Sequence, residues 1–175
     1  MEVSDKKKYA LGFLIKGKTS VIFVDTFLSK CKDFLDETSL RSIYILLSYG
    51  FEMILKSRII LSYEGGCEKC LNRKLINLSH DLEKVAKKLG SEGLSEIGIE
   101  KVELREETYI NSSEKFRCYY IKTIDNKNIR IENFIDVRYP GLNLPVRPIS
   151  KEEFNNIKEC IKDIYAVIKN IEQKQ

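Results

Sequence analysis

The single histidine of the chain, His80, lies in a segment rich in lysine and arginine. Histidine is the side chain that most readily exchanges a proton near neutral pH. If residues 71–89 form one continuous helix, Arg73 and His80 share a face, about 10 Å apart along the axis. The same face would then carry Lys69, Asn77, Lys84 and Lys87. Such a basic stripe suits a phosphodiester backbone, although a solvated basic face is also common on bundle helices.

The cysteines offer a second kind of chemistry. Cys67 and Cys70 have the spacing of a zinc knuckle or of a redox pair. A closed structural zinc site needs four ligands, and no second pair with this spacing follows. Without an export signal, cysteines are expected to remain free thiols. The sequence therefore predicts two ordinary thiols at a helix start, and no metal.

Several other cations stand at distinctive positions. Arg58 occupies a core-phase position of an apolar series, two turns or less from Glu52 and Lys56, where it could take part in a buried or interfacial ion pair. We expect instead that its stem packs while its guanidinium reaches solvent. Residues that could bind a nucleotide or a partner protein are Lys56, Arg58, Arg138 and Tyr139. For the last two, ordering of a loop through backbone hydrogen bonds is the favoured role.

Apolar spacing predicts four long helices that would position these residues. The first covers about 20–36. The second follows an N-cap at Thr38 or Ser39, ends at Gly65-Gly66 and is apolar enough to be the central helix. The third covers 71–89 before Gly90, either unbroken or restarting at an N-cap at Ser79. The fourth follows a capping box at 150–153.

Between the third and fourth helices the apolar period changes to two. Phe116, Cys118 and Tyr120 alternate with polar residues, a polar turn follows at 125–128, and Ile129 and Ile131 resume the alternation. This pattern predicts a β-hairpin, and Val102 and Leu104 could start a third strand. We expect the segment of about 97–137 to be an insertion whose hairpin is a discrete accessory element. Residues 139–149 contain all three prolines and are predicted to form a loop.

Length and composition set the outer limits. A chain of 175 residues with 43% hydrophobic and 32% charged residues is expected to be one globular domain with a core. A net charge of +4 is too small to imply nucleic acid by itself. No signal peptide and no membrane span are recognisable, which predicts a cytoplasmic protein. The sequence contains neither a glycine-rich phosphate loop nor the Ser-His-Asp order, so it gives no support for hydrolase or nucleotidyltransferase chemistry.

Three motifs together resemble the HEPN superfamily. They are Tyr49-Gly50-Phe51-Glu52 on the central helix, Ser79-His80-Asp81-Leu82 in the third, and Arg138-Tyr139-Pro140-Gly141 before the last. The similarity covers about 19–89 and 134–171. It implies a mainly α, HEPN-like bundle of four long helices, with the β-hairpin or small meander as an insertion.

The resemblance also implies a function. Active HEPN proteins are metal-independent ribonucleases that use an Arg and a His with four to six residues between them, usually in a groove between two protomers. Arg73 and His80 match that pattern as catalytic candidates, for transesterification in which a base takes the 2'-hydroxyl proton. The expected protein is then a toxin-antitoxin or phage-defence component that acts on RNA, needs no cofactor and forms a homodimer. The alternatives are a catalytically silent module that binds a partner such as a nucleotidyltransferase, and a nucleotide sensor.

Overall fold

The computed structural model describes residues 3–31, 37–108, 115–133 and 151–173. This part of the chain is mainly helical and contains a small antiparallel sheet. Four helices come first: α1 Val3–Lys30, α2 Glu37–Leu61, α3 Glu68–Asn77 and α4 Leu82–Ser95. The strands β1 Ile99–Thr108, β2 Lys115–Thr123 and β3 Asn128–Glu132 follow, and α5 Lys151–Glu172 is last. The mainly α prediction is confirmed, but the described residues form five helices, of which α3 and α4 are short.

Helix α1 begins far earlier than predicted, at Val3 instead of near residue 20. Gly12 and Gly17 both lie inside the helix. At Gly17, α1 passes so close to α2 that an added Cβ would lie 2.6 Å from the carbonyl oxygen of Gly50. This glycine allows two backbones to approach each other, so it marks a helix crossing.

Helix α2 is the central helix, as its apolar composition predicted. Within residues 51–60, Arg58 alone is not fully buried. The helix already includes Thr38 and Ser39, so neither is its N-cap. It ends at Leu61, and Gly65-Gly66 lie in the loop that follows.

The predicted third helix is two helices separated by a turn. Helix α3 ends at Asn77, and α4 restarts behind Asp81, whose Oδ1 accepts hydrogen bonds from the backbone N–H groups of Glu83 and Lys84 at 3.1 Å. The restart was one of the two alternatives, but its N-cap is Asp81 instead of Ser79. At the predicted stop, Gly90 has a non-helical backbone with a φ of 72°, and two helical segments meet there in a kink within α4.

The three strands lie in the order β1-β2-β3, and the hairpin and third strand are confirmed. In the register, Tyr119 lies between Leu104 and Ile131, and Ile121 lies between Val102 and Ile129. These six side chains face the helices and contribute to the same hydrophobic core. Phe116, Cys118 and Tyr120 project from the opposite face. The sheet is therefore a wall of the main core, in contrast to the expected accessory element.

Helix α5 packs the predicted apolar stripe into this core. Its buried members are Ile157, Ile161, Ile164, Ile168 and Ile171. Ser150 of the predicted capping box, the predicted loop at 139–149, Arg138 and Tyr139 lie outside the described residues. None of the described helices combines the length and apolarity needed to cross a membrane.

Candidate functional site

A buried ion pair interrupts the apolar surface of α2. Glu52 is 2% exposed, and Lys56, one turn later, donates a hydrogen bond from Nζ to Glu52 Oε1 at 2.5 Å. Two charges removed from water are stable only when further polar groups satisfy them. The partners of this pair therefore define the surrounding site.

The turn between α3 and α4 supplies those partners. His80 Nδ1 lies 2.8 Å from Glu52 Oε2, and Lys56 Nζ donates a second hydrogen bond to the carbonyl oxygen of Ser79 at 2.9 Å. Ser79 has a φ of 49°, a left-handed conformation that is uncommon for a residue other than glycine. The contacts to α2 hold this turn in place. We call Glu52 and Lys56 of α2, together with His80 of the turn, the Glu52–Lys56–His80 cluster.

The sheet supports the same turn from another side. Tyr119 on β2 donates a hydrogen bond from its hydroxyl to the carbonyl oxygen of His80 at 3.4 Å. Asn133, directly after β3, donates from Nδ2 to that hydroxyl oxygen at 2.9 Å. Both side chains are buried. The backbone of His80 is therefore positioned by residues from the sheet, and its ring by a residue from α2.

The geometry of the ring determines what His80 can do. A carboxylate only accepts hydrogen bonds, so Nδ1 carries the proton that is donated to Glu52. In the neutral imidazole, Nε2 is then the basic nitrogen. The His80 side chain is 40% exposed although Glu52 beneath it is buried. The carboxylate of Glu52 thus orients the ring, as a carboxylate orients the histidine of a catalytic triad.

Arg73 and His80 do not share a helical face, because α3 ends between them. Arg73 is exposed on α3, whereas His80 lies in the turn that follows. The prediction depended on one continuous helix, and the left-handed residue Ser79 breaks it. The structure thus keeps His80 in a site and gives it Glu52, not Arg73, as its observed partner.

The predicted basic stripe is also divided by the turn. Lys69 and Asn77 are exposed on α3, and Lys84 and Lys87 are exposed on α4. Lys84 lies 3.4 Å from an oxygen of Asp81, and Lys87 lies 3.4 Å from an oxygen of Glu83. Carboxylates therefore reduce the positive charge on the α4 part, and the single continuous stripe is wrong.

The other predicted binding residues have separate locations. Lys56 is buried within the cluster and is not a surface cation. Arg58 forms an ion pair with Glu96, beyond the end of α4, so the expectation of a guanidinium that simply reaches solvent is wrong. Its partner is neither Glu52 nor Lys56. Arg138 and Tyr139 are the two that lie outside the described residues.

The cysteines differ from the prediction as well. Cys67 and Cys70 form a disulfide at the start of α3 instead of two free thiols. Cys118 and Cys160 are free and buried, and burial raises the pKa of both thiols, that of Cys160 to about 12. Among the described residues there is no group of three or more His, Cys, Asp or Glu that could hold a metal ion.

Glu52 is the functional residue whose role the sequence did not reveal. It was considered only as a partner of Arg58. One usable signal was present, because a glutamate and a lysine one turn apart in a helix covered on most sides must find further partners. The sequence did not show that one partner would be 28 residues away, at His80.

Comparisons with protein-family models, curated proteins and solved structures give no match.

Proposed function

We propose that the chain is a HEPN-like, metal-independent endoribonuclease in which His80 is the general base. It would act in a prokaryotic toxin-antitoxin or phage-defence system, in the cytoplasm. One observation carries the proposal: the buried carboxylate of Glu52 lies 2.8 Å from His80 Nδ1, which leaves Nε2 as the basic nitrogen of a half-exposed ring.

The proposed reaction is transesterification of RNA. His80 Nε2 takes the proton of a 2'-hydroxyl, and the 2'-oxygen attacks the adjacent phosphorus to form a 2',3'-cyclic phosphate. The bond from phosphorus to the 5'-oxygen breaks, and this oxygen takes a proton from water to become a 5'-hydroxyl. Negative charge that develops on the phosphoryl oxygens requires a cation. Arg73 is the candidate, because it lies on the helix that leads directly into the turn of His80. Lys56 is already held by Glu52 and by the Ser79 carbonyl.

The test is cleavage of single-stranded RNA with excess EDTA. We expect wild-type cleavage to survive EDTA and His80→Ala to reduce the rate about 10²- to 10⁴-fold, the usual contribution of a general base. Arg73→Ala should also lower the rate, with poor rescue by Arg73→Lys, because an ammonium lacks the planar donor geometry of a guanidinium. Lys162→Gln is the matched control, since it removes an exposed cation on α5 that is already paired with Glu159.

The outcome that contradicts the proposal is equally specific. If the wild type does not cleave RNA, or if His80→Ala cleaves as fast as the wild type, His80 is not the base. Circular dichroism of each variant confirms that a loss of rate is not a loss of fold. His80 suits this comparison because its ring is partly exposed.

A second candidate function is a catalytically silent module that dimerises or binds a partner such as a nucleotidyltransferase. The supporting observation is a row of exposed apolar side chains on α1: Leu11, Ile15, Ile22 and Phe23. Helix α2 is central and covered, so it offers no such surface. Light scattering at tens of micromolar tests it, with Phe23→Glu expected to give the monomer.

A further inference from the structure

The disulfide lies in an unusual place for a structural crosslink. Cys67 and Cys70 are separated by only two residues and are both exposed, at the N-terminus of the ten-residue helix α3. A loop this short constrains the unfolded chain little, so the bond adds little stability. Among the described residues, Cys31, Cys118 and Cys160 remain free. A bond that contributes little to stability and is open to solvent is accessible to thiol exchange.

The backbone around the pair would stabilise a thiolate at Cys67. Cys67 is the N-cap of α3, and its Sγ accepts a hydrogen bond from the backbone N–H of Cys70 at 3.2 Å. A thiolate at this position would face the positive end of the helix dipole. The segment that leads into Cys67 is held in place by two hydrogen bonds. Tyr63 donates one to the Cys67 carbonyl at 3.4 Å, and Lys6 donates one to the Tyr63 carbonyl at 3.1 Å.

A cleft of about 380 Å³ lies beside this end of α3. Its floor is formed by Tyr9, Gly12 and Phe13 of α1, and it reaches Glu68, the residue that directly follows Cys67. Gly12 leaves the floor open, since a Cβ there would meet nothing within 4 Å. The cleft is joined to α3 by a hydrogen bond from the Tyr9 hydroxyl to Asn72. Its size falls within the range of small-ligand sites.

The charges around the cleft indicate the kind of ligand. Lys8 and Lys16 are the basic members of the lining, about two turns apart on α1, and could each bind a carboxylate. Asp5 and Glu68 are the acidic members and could bind an amino group. Short peptide thiols such as glutathione carry two carboxylates, one amino group and one thiol. The cleft therefore matches such a thiol in charge.

We propose that Cys67–Cys70 is a redox-active disulfide that exchanges with a low-molecular-weight peptide thiol bound in this cleft. A glutathione thiolate attacks Cys67 Sγ, the Cys67–Cys70 bond breaks, and Cys70 leaves as a thiolate that takes a proton from water. A second glutathione thiolate attacks the glutathione sulfur of the mixed disulfide. It releases the Cys67 thiolate and forms oxidised glutathione, so two thiols are oxidised as one disulfide is reduced.

This site is independent of the proposed nuclease. It lies at the opposite end of α3 from His80, about 15 Å along the helix axis. Its chemistry also matches the predicted compartment, because disulfides in the cytosol are usually catalytic or redox-sensing.

The first experiment measures the oxidation state of the full chain by alkylation and mass spectrometry. Excess reduced glutathione should reduce Cys67–Cys70, and oxidised glutathione should restore it. A disulfide that persists in excess reduced glutathione overturns the proposal, because such a bond is structural. Circular dichroism should show the same helix content in both states.

The second experiment separates recognition in the cleft from simple reactivity. Cys70→Ser should trap one glutathione on Cys67 when treated with oxidised glutathione. Adding Lys8→Gln and Lys16→Gln should slow this step about ten-fold, the effect of two lost surface ion pairs. The rate with hydroxyethyl disulfide, which has no charge, should not change. Lys18→Gln is the matched control, because Lys18 pairs with Glu172 away from the cleft.

The results have clear consequences. If the lysine substitutions slow the reaction with oxidised glutathione but not with hydroxyethyl disulfide, the cleft is the binding site. If the rates with both disulfides fall equally, or if neither rate falls, the proposal of binding in the cleft is overturned.

Discussion

Two clusters in this protein have the same kinds of groups, a carboxylate, a cation and a ring, but differ in how the fold makes them. In the Glu52–Lys56–His80 cluster, the carboxylate is 2% exposed. In the second, on the outer face of the sheet, Glu107 is 25% exposed and accepts hydrogen bonds from Tyr120 and from Arg130 Nη2, the latter at 2.8 Å.

The second cluster follows from the regular register of the strands. Tyr120 lies opposite Arg130, and alternation along β1 places Glu107 on the same face. The first cluster forms where the helical path is broken at residues 78–81. Regular strand pairing brings Arg130 and Tyr120 to Glu107, and neither an arginine nor a tyrosine ordinarily titrates near neutral pH. The break between α3 and α4 instead brings a histidine to a buried carboxylate. The irregular turn is therefore where proton chemistry near neutral pH becomes available.

The largest effect should come from breaking the buried cluster. Glu52→Ala leaves Lys56 as an uncompensated buried cation and should cost about 3–5 kcal/mol in the free energy of unfolding. Urea denaturation followed by circular dichroism measures it. Glu83→Ala, which removes the surface partner of Lys87, is the control and should cost under about 0.5 kcal/mol. A cost for Glu52→Ala below about 1 kcal/mol would show that the charge is not buried as described.

A double variant sharpens this prediction. Glu52→Leu with Lys56→Met replaces both charges by apolar groups, so it should be closer to the wild type than either single variant. Strict additivity of the two single effects would contradict a coupled pair.

The sheet cluster should give an intermediate effect that depends on pH. Burial alone would raise the pKa of Glu107, but the hydrogen bonds from Arg130 and Tyr120 outweigh it and hold the pKa below the ordinary carboxyl value. Stability from this lowered pKa is present above the glutamate pKa of the unfolded chain and is lost as the pH falls through the folded value. Between about pH 7 and about pH 3, the wild type should therefore lose more stability than Glu107→Gln. Equal losses in urea titrations at both pH values would contradict it.

The smallest effect on stability is expected for His80→Ala. Its ring is partly exposed, and Lys56 still compensates Glu52 when the ring is removed. The variant should lose about 1 kcal/mol or less in the free energy of unfolding. A melting curve tests this, and a loss as large as that of Glu52→Ala would mean that His80 is a structural clamp.

Local patterns predicted much of the fold correctly. The apolar series of α2 and α5 and the alternating middle segment lie where the sequence placed them. Two helix boundaries were wrong. The start of α1 was predicted too late, and Gly17 inside this helix serves a close crossing with α2. Leucines continue across the turn at 78–81, so the apolar period hid the end of α3.

The candidate site was predicted only in part, because its residues come from separate elements. His80 was singled out for its chemistry, and the structure places it in a site. Its partner was wrongly identified, since the expected geometry with Arg73 depended on a continuous helix. The pairing of Cys67 and Cys70 was also missed, because spacing alone allows thiols, a metal site or a disulfide.

The sequence by itself predicted the central helix, the last helix and the strands, with the apolar faces that they bury, and it singled out one histidine for its chemistry. Those properties depend on side-chain periodicity and residue chemistry, which are local. The tertiary structure alone decided three contacts. His80 lies beside Glu52, Lys56 donates a hydrogen bond to the Ser79 carbonyl, and Tyr119 of the sheet donates one to the His80 carbonyl. These contacts join residues far apart in the chain, and they depend on where a helix ends and how the next elements pack against it.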